Sequence, residues 1–108
     1  MSQTTDVHMQ EADSGRTLDL SVGQSVALEL PDPGPTGYRW KVEAIDESVL
    51  SPVGTRTQPS AAVGGTGKAT LTFQAKAPGT THLRLKLWRE WLGDASVIRR
   101  FDALLHVR

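Results

Sequence analysis

The residues able to do covalent or acid–base chemistry are few, and they do not gather. No cysteine occurs among the 108 residues. That removes a thiol nucleophile, thiolate metal ligation and disulfides together. No serine sits in a G-x-S-x-G turn, so a hydrolase elbow is missing. His8 lies in a polar stretch with no second ligand at metal spacing, and it reads as a solvated histidine. His82 and His106 fall on the outer faces of strand patterns and read as surface histidines. Asp46 and Glu47 adjoin in a turn, where solvated carboxylates are ordinary. Gly67-Lys68 ends a glycine-rich run, but Ala69 stands where a Walker phosphate loop needs Ser or Thr. A strand pattern follows where that loop needs a helix. The expectation is a protein that is not an enzyme and uses neither cofactor nor metal.

What remains is the chemistry of recognition. Trp88-Arg89-Glu90-Trp91-Leu92 puts two of the three tryptophans at the start of one loop. Trp and Arg are enriched where binding energy concentrates. Two readings stand side by side: Trp91 anchors a partner, or it folds back as a lid over the open end of the core. The second stretch is Pro31-Asp32-Pro33-Gly34-Pro35-Thr36-Gly37-Tyr38-Arg39-Trp40. Its prolines fix φ and withhold backbone donors. Gly34 and Gly37 can take positive φ at little cost. Such a stiff loop loses little entropy on binding, although a plain prolyl connection between strands has the same composition.

The elements around these stretches are strands. Residues 25–30 place Val26, Leu28 and Leu30 on one face. A strand from Tyr38 to about Ala44 puts Tyr38, Trp40 and Val42 together. Residues 68–75 turn Ala69, Leu71, Phe73 and Ala75 inward, and residues 81–88 do the same with Leu83, Leu85 and Leu87. Residues 97–107 close the pattern with Phe101, Ala103, Leu105 and Val107. Residues 17–20 make a short edge strand. Ser51-Pro52-Val53-Gly54 breaks the chain, and residues 55–67 read as a long mobile loop. No stretch has a helical stripe. Six to eight short strands imply an all-β sandwich or barrel.

Residues 1–16 are polar and aperiodic and are expected to form a disordered arm, with residues 17–108 as the domain. The arm has no apolar h-region, so it is not a signal peptide. The chain is expected to stay inside the cell or to begin after a removed signal. Twelve basic residues balance twelve acidic ones, so no global field points to nucleic acid or a membrane surface. No apolar run approaches the length of a membrane span. A monomer is expected.

Three short motifs, in order, resemble those of the chagasin-like inhibitors of papain-type cysteine peptidases. Pro35-Thr36-Gly37-Tyr38-Arg39-Trp40 is similar to N-P-T-T-G-Y/F-x-W. Gly64-Gly65-Thr66-Gly67 is similar to G-x-G-G, and Arg89-Glu90-Trp91 to R-P-W after a P-G-T turn at Pro78-Gly79-Thr80. The chain carries Pro35, Thr66 and Glu90 where those motifs have Thr, Gly and Pro. The resemblance implies an immunoglobulin-like β-sandwich with three binding loops at one end. It implies a reversible, non-covalent inhibitor that blocks the cleft of a papain-like cysteine peptidase. Gly34, Pro35, Thr36, Gly37, Tyr38, Gly64, Gly65, Thr66, Gly67, Arg89, Glu90 and Trp91 would be its contact residues. The alternative is a non-inhibitory immunoglobulin-like module for a glycan or another protein, with Tyr38, Trp88 and Trp91 as its aromatic surface.

Overall fold

The computed structural model describes residues 7–34, 36–59 and 66–108. Among them are eight strands: β1 Val7–Gln10, β2 Thr17–Leu20, β3 Ser25–Asp32, β4 Arg39–Ala44, β5 Leu50–Gln58, β6 Gly67–Ala75, β7 Gly79–Trp88 and β8 Arg99–Val107. They form two four-stranded sheets, ordered β1-β3-β6-β5 and β2-β8-β7-β4. Short 3-10 turns at Glu11–Asp13 and Glu90–Ser96 are the helical elements of the described residues.

The alternation in sequence becomes two apolar faces laid against each other. In the first sheet Val26 pairs with Phe73, Leu28 with Leu71 and Leu30 with Ala69. In the second, Leu83 pairs with Ala103 and Leu85 with Phe101. All ten side chains are buried. Full burial of a Leu or Phe contributes about 1.5–3 kcal/mol each, so these cross-strand pairs hold the register of both sheets. Trp40 and Val42 of β4 pack against the core from its open side and stay partly exposed.

Two expectations fail, for the same physical reason. The arm expected over residues 1–16 is ordered from Val7 onward. β1 runs parallel to β3, with Met9 beside Leu28, and Met9 is only 1% exposed. One buried residue in a four-residue strand leaves no period to read. The segment is also stapled to β8: the Gly15 N–H donates to the Asp102 carbonyl at 2.6 Å, and Arg99 meets Glu11 at 2.7 Å. The break at residues 51–54 and the loop expected from residue 55 are instead strand β5, which reaches Gln58. β5 is an edge strand whose residues from Pro52 onward are all exposed. An edge strand tolerates proline because one side of its ladder is unused. The register shift between Pro52 and Gly54 takes up the irregularity.

Register places the connections. Asp32 at the end of β3 pairs with Gly67 at the start of β6. Arg39 at the start of β4 pairs with Trp88 at the end of β7. The β3–β4, β5–β6 and β7–β8 connections therefore leave the sandwich at one end, called loops 1, 2 and 3 below.

Candidate functional site: a three-loop edge

Loop 1, residues 33–38, is held by its own short-range chemistry. The Gly34 N–H donates to the Asp32 carboxylate at 3.0 Å, with Gly34 at φ +76° and Gly37 at φ +89°. The Trp40 indole N–H donates to the Pro31 carbonyl at 2.9 Å, tying the two ends of the loop together. Pro35 lies outside the described residues.

Loop 3 is built around one hydroxyl. Ser96 Oγ accepts the Arg89 N–H at 2.9 Å. It also lies 2.7 Å from the Gly93 carbonyl and 2.9 Å from the Arg89 carbonyl, so its single proton is shared between them. Gly93, at φ +71°, makes the kink inside the Glu90–Ser96 turn. From β7 below, Lys86 reaches Asp94 at 2.7 Å and Glu43 at 3.7 Å. Its ammonium sits 3.7 Å from the centre of the Trp88 ring. Lys86 is 8% exposed, a degree of burial that a lysine reaches only when paired. The Lys86 hydrogen bond and charge hold the Asp94 carboxyl below the usual carboxylate range.

Loops 1 and 3 are locked to each other through Arg89 and Trp91. Arg89 Nε donates to the Thr36 carbonyl at 3.2 Å. Its guanidinium stacks 4.4 Å from the centre of the Tyr38 ring. The Trp91 indole lies directly on Gly37: a β-carbon there would come within 2.5 Å of the ring. Trp91 is nevertheless 69% exposed. The lid reading of Trp91 is thereby excluded, and the residue that does stop the core is Trp40.

Where loop 2 enters β6, Gly67 pairs with Asp32 at the end of β3. Thr66 is exposed and Gly67 half-buried, while Gly64 and Gly65 lie outside the described residues. Of the residues expected at the site, Thr36, Gly37, Tyr38, Arg89 and Trp91 are in mutual contact or linked through one another. Gly34 braces the outer turn of loop 1, and Glu90 is exposed beside Trp91. Among the described residues, no three His, Asp or Glu side chains come together to hold a metal. Among the described residues the edge is thus a ridge cross-braced between loops 1 and 3, with the Trp91 indole exposed on it.

A sequence profile described as Chagasin family peptidase inhibitor I42 matches residues 19–103. The chain belongs to the chagasin family. It is similar to chagasin of Trypanosoma cruzi, 30% identical over 101 residues that span 88% of this chain and 92% of that one. Its fold is that of solved cysteine protease inhibitors. One from Entamoeba histolytica superposes with a TM-score of 0.85 at 18% identity, covering all of both chains. Amebosin gives 0.78 at 20% identity, covering 96% of this chain and 99% of the other. The structure of PbICP-C in complex with falcipain-2 gives 0.68 at 15% identity, covering 98% and 92%. Each of these likenesses spans the whole sandwich, so the three-loop end of this chain lies within a fold shared with chagasin-family inhibitors.

Sequence reasoning missed the supports of the ridge. Ser96 and Asp94 look like ordinary loop residues, and Lys86 like one more outward lysine on a strand. Their roles depend on pairs that spacing alone does not announce. Arg89 was expected at the partner's surface; its Nε and guanidinium face are committed to Thr36 and Tyr38.

Proposed function

We propose that the chain is a reversible, non-covalent inhibitor of papain-like cysteine peptidases, with loops 1, 2 and 3 laid across the active-site cleft. Family membership supports the class of target. The observation that carries the mechanism is the Arg89 and Trp91 brace between loops 1 and 3. A papain-type cleft holds a thiolate–imidazolium pair and must admit an extended substrate. A ridge that is already fixed fills that cleft with little further loss of entropy. Its glycine-led turns do not present an extended peptide bond to the thiolate, so the ridge occupies the site without being cut. Among the described residues, Trp91 is the most exposed of the large hydrophobic side chains, and so has apolar surface left to bury. On this reading the chain acts by occlusion, not by reaction.

The test is a steady-state assay of a panel of papain-type peptidases with increasing amounts of the protein. Competitive inhibition is expected, with the protein recovered intact by mass spectrometry and serine peptidases unaffected. Full activity of every papain-type enzyme at large molar excess overturns the proposal.

A further inference from the structure

Beside the ridge, on the outer face of the β2-β8-β7-β4 sheet, lies an open cleft of about 520 Å³. Arg39, Lys41, Glu90 and the three tryptophans, Trp40, Trp88 and Trp91, line it together with Gly37. Trp88 forms its wall. The buried Lys86 ammonium caps that ring at 3.7 Å, and Lys41 stands 5.5 Å from its centre. The wall is therefore aromatic, and the charged side chains at it are two cations, Arg39 and Lys41, and one acid, Glu90.

The charge balance of this face is what gives the cleft a direction. Glu43 is taken by Arg100 at 2.6 Å and by Lys86 at 3.7 Å. Asp94 is taken by Lys86. Asp102 faces Arg84 at 3.5 Å and His82 at 3.9 Å. Among the described residues, no carboxylate pairs with Arg39 or Lys41, although both are exposed beside an aromatic surface. Glu90 is the one acid among the lining residues. Gly37 and Trp91 belong both to the cleft and to the ridge. Any protein seated on the ridge therefore extends a flank over the cleft.

We propose that this cleft receives an acidic surface segment of the bound peptidase, next to that enzyme's active-site groove, and that Arg39 and Lys41 select peptidases with an acidic rim. The inference rests on the inhibitory reading above and names the specificity of the same site. Arg39 offers a planar fork for a carboxylate and Lys41 a point charge. Trp88 covers the methylene groups of the incoming side chains and lowers the local dielectric. Complementary charge at the margin of an interface acts chiefly on the rate of encounter. Selection should therefore appear in association, and it should fade with salt.

The experiment compares wild type with the Arg39→Glu/Lys41→Glu double variant. Association rates and inhibition constants are measured against papain-type peptidases with acidic and with basic rims, at low and at high ionic strength. Both positions are exposed, and unfolding midpoints check that the fold is retained. Against an acidic-rim enzyme the reversal should slow association on the order of tenfold or more at low salt, with the gap closing as salt rises. Against a basic-rim enzyme it should be neutral or faster. Wild-type inhibition with no effect of the reversal on any enzyme overturns this inference alone. Absence of wild-type inhibition overturns the inhibitory reading, and this inference with it. Saccharide binding that Trp88→Ala abolishes, with inhibition indifferent to the reversal, also overturns it and assigns the cleft to a glycan.

Discussion

Trp40 and Trp91 are close neighbours in the fold and opposites in what surrounds them. Trp40 is half-buried, rests on the core and has its indole N–H committed to the Pro31 carbonyl. Trp91 is 69% exposed, with its ring lying over Gly37. One closes the end of the sandwich, and the other stands on top of it. The same residue type thus serves stability in one place and recognition in the other. The difference lies in whether the indole N–H and the ring faces already have partners.

The comparison breaks most visibly at Trp40. Trp40→Ala is expected to cost about 3 kcal/mol of stability, the low end for truncating a large aromatic in a core, read as a lowered midpoint in urea unfolding. An unchanged midpoint would mean that the end of the core is closed by something else.

Trp91→Ala should give the reverse pattern. Stability should move by no more than about 0.5 kcal/mol. Inhibition should weaken by about 2 kcal/mol, roughly thirtyfold. A variant that loses stability and keeps its potency would make the two tryptophans the same kind of residue after all.

Gly37→Ala touches both sides of the comparison. Positive φ alone costs a residue with a β-carbon about 1 kcal/mol, and the new methyl group must push the Trp91 ring aside. A modest fall in the unfolding midpoint should accompany about a fivefold loss of inhibition, the equivalent of about 1 kcal/mol. A Gly37→Ala protein with full potency would show that Trp91 does not need its seat on loop 1.

The smallest effect is expected at Asp94. Its pKa in the folded protein is lowered from the ordinary 3.8 by Lys86. A depressed carboxylate contributes fully above its unfolded pKa and loses its contribution as pH falls through the folded value. The tether under loop 3 should therefore hold from neutral pH down to about 4 and release only below the ordinary carboxylate range. Asp94→Asn should mimic that release at every pH, with slightly faster amide exchange over residues 90–96 and little change in potency at neutral pH. A break in wild-type loop 3 exchange near neutral pH would contradict this assignment.

Legibility in the sequence followed burial. β3, β6, β7 and β8 each turn a row of apolar residues to the core, and period-two alternation gives their ends to within two residues. β5 has no such row after Leu50, so nothing in its composition separates it from a loop. β1 contributes one buried side chain, Met9, and one point has no period. At the candidate site, residue types alone left both loops open between two readings, a plain prolyl connection or a binding loop at loop 1 and a lid or an anchor at loop 3, and the three ordered motifs were what singled them out. What types could not supply was the wiring. Arg89 to Thr36 spans 53 positions in the chain, and Lys86 is buried only because Asp94 and Trp88 close over it. Arg39 and Lys41 stand out only once Glu43 and Asp94 are known to be engaged elsewhere.

The order of the strands also sets a timetable for synthesis. The first sheet uses β1, β3, β5 and β6, all complete once Ala75 has been made. β2 is an edge strand whose strand partner is β8, joined through Leu104 to Val107. At a ribosome adding about 5–20 residues per second, the remaining 32 residues to Val107 take roughly 2–6 s. Throughout that interval β2 has no strand partner, and the apolar residues that β8 sets against the first sheet do not yet exist. A chain stopped before β8 would leave β2 without its strand partner and the inner face of the first sheet without Phe101, Ala103, Leu105 and Val107 against it, so the two sheets depend on the last strand to be made.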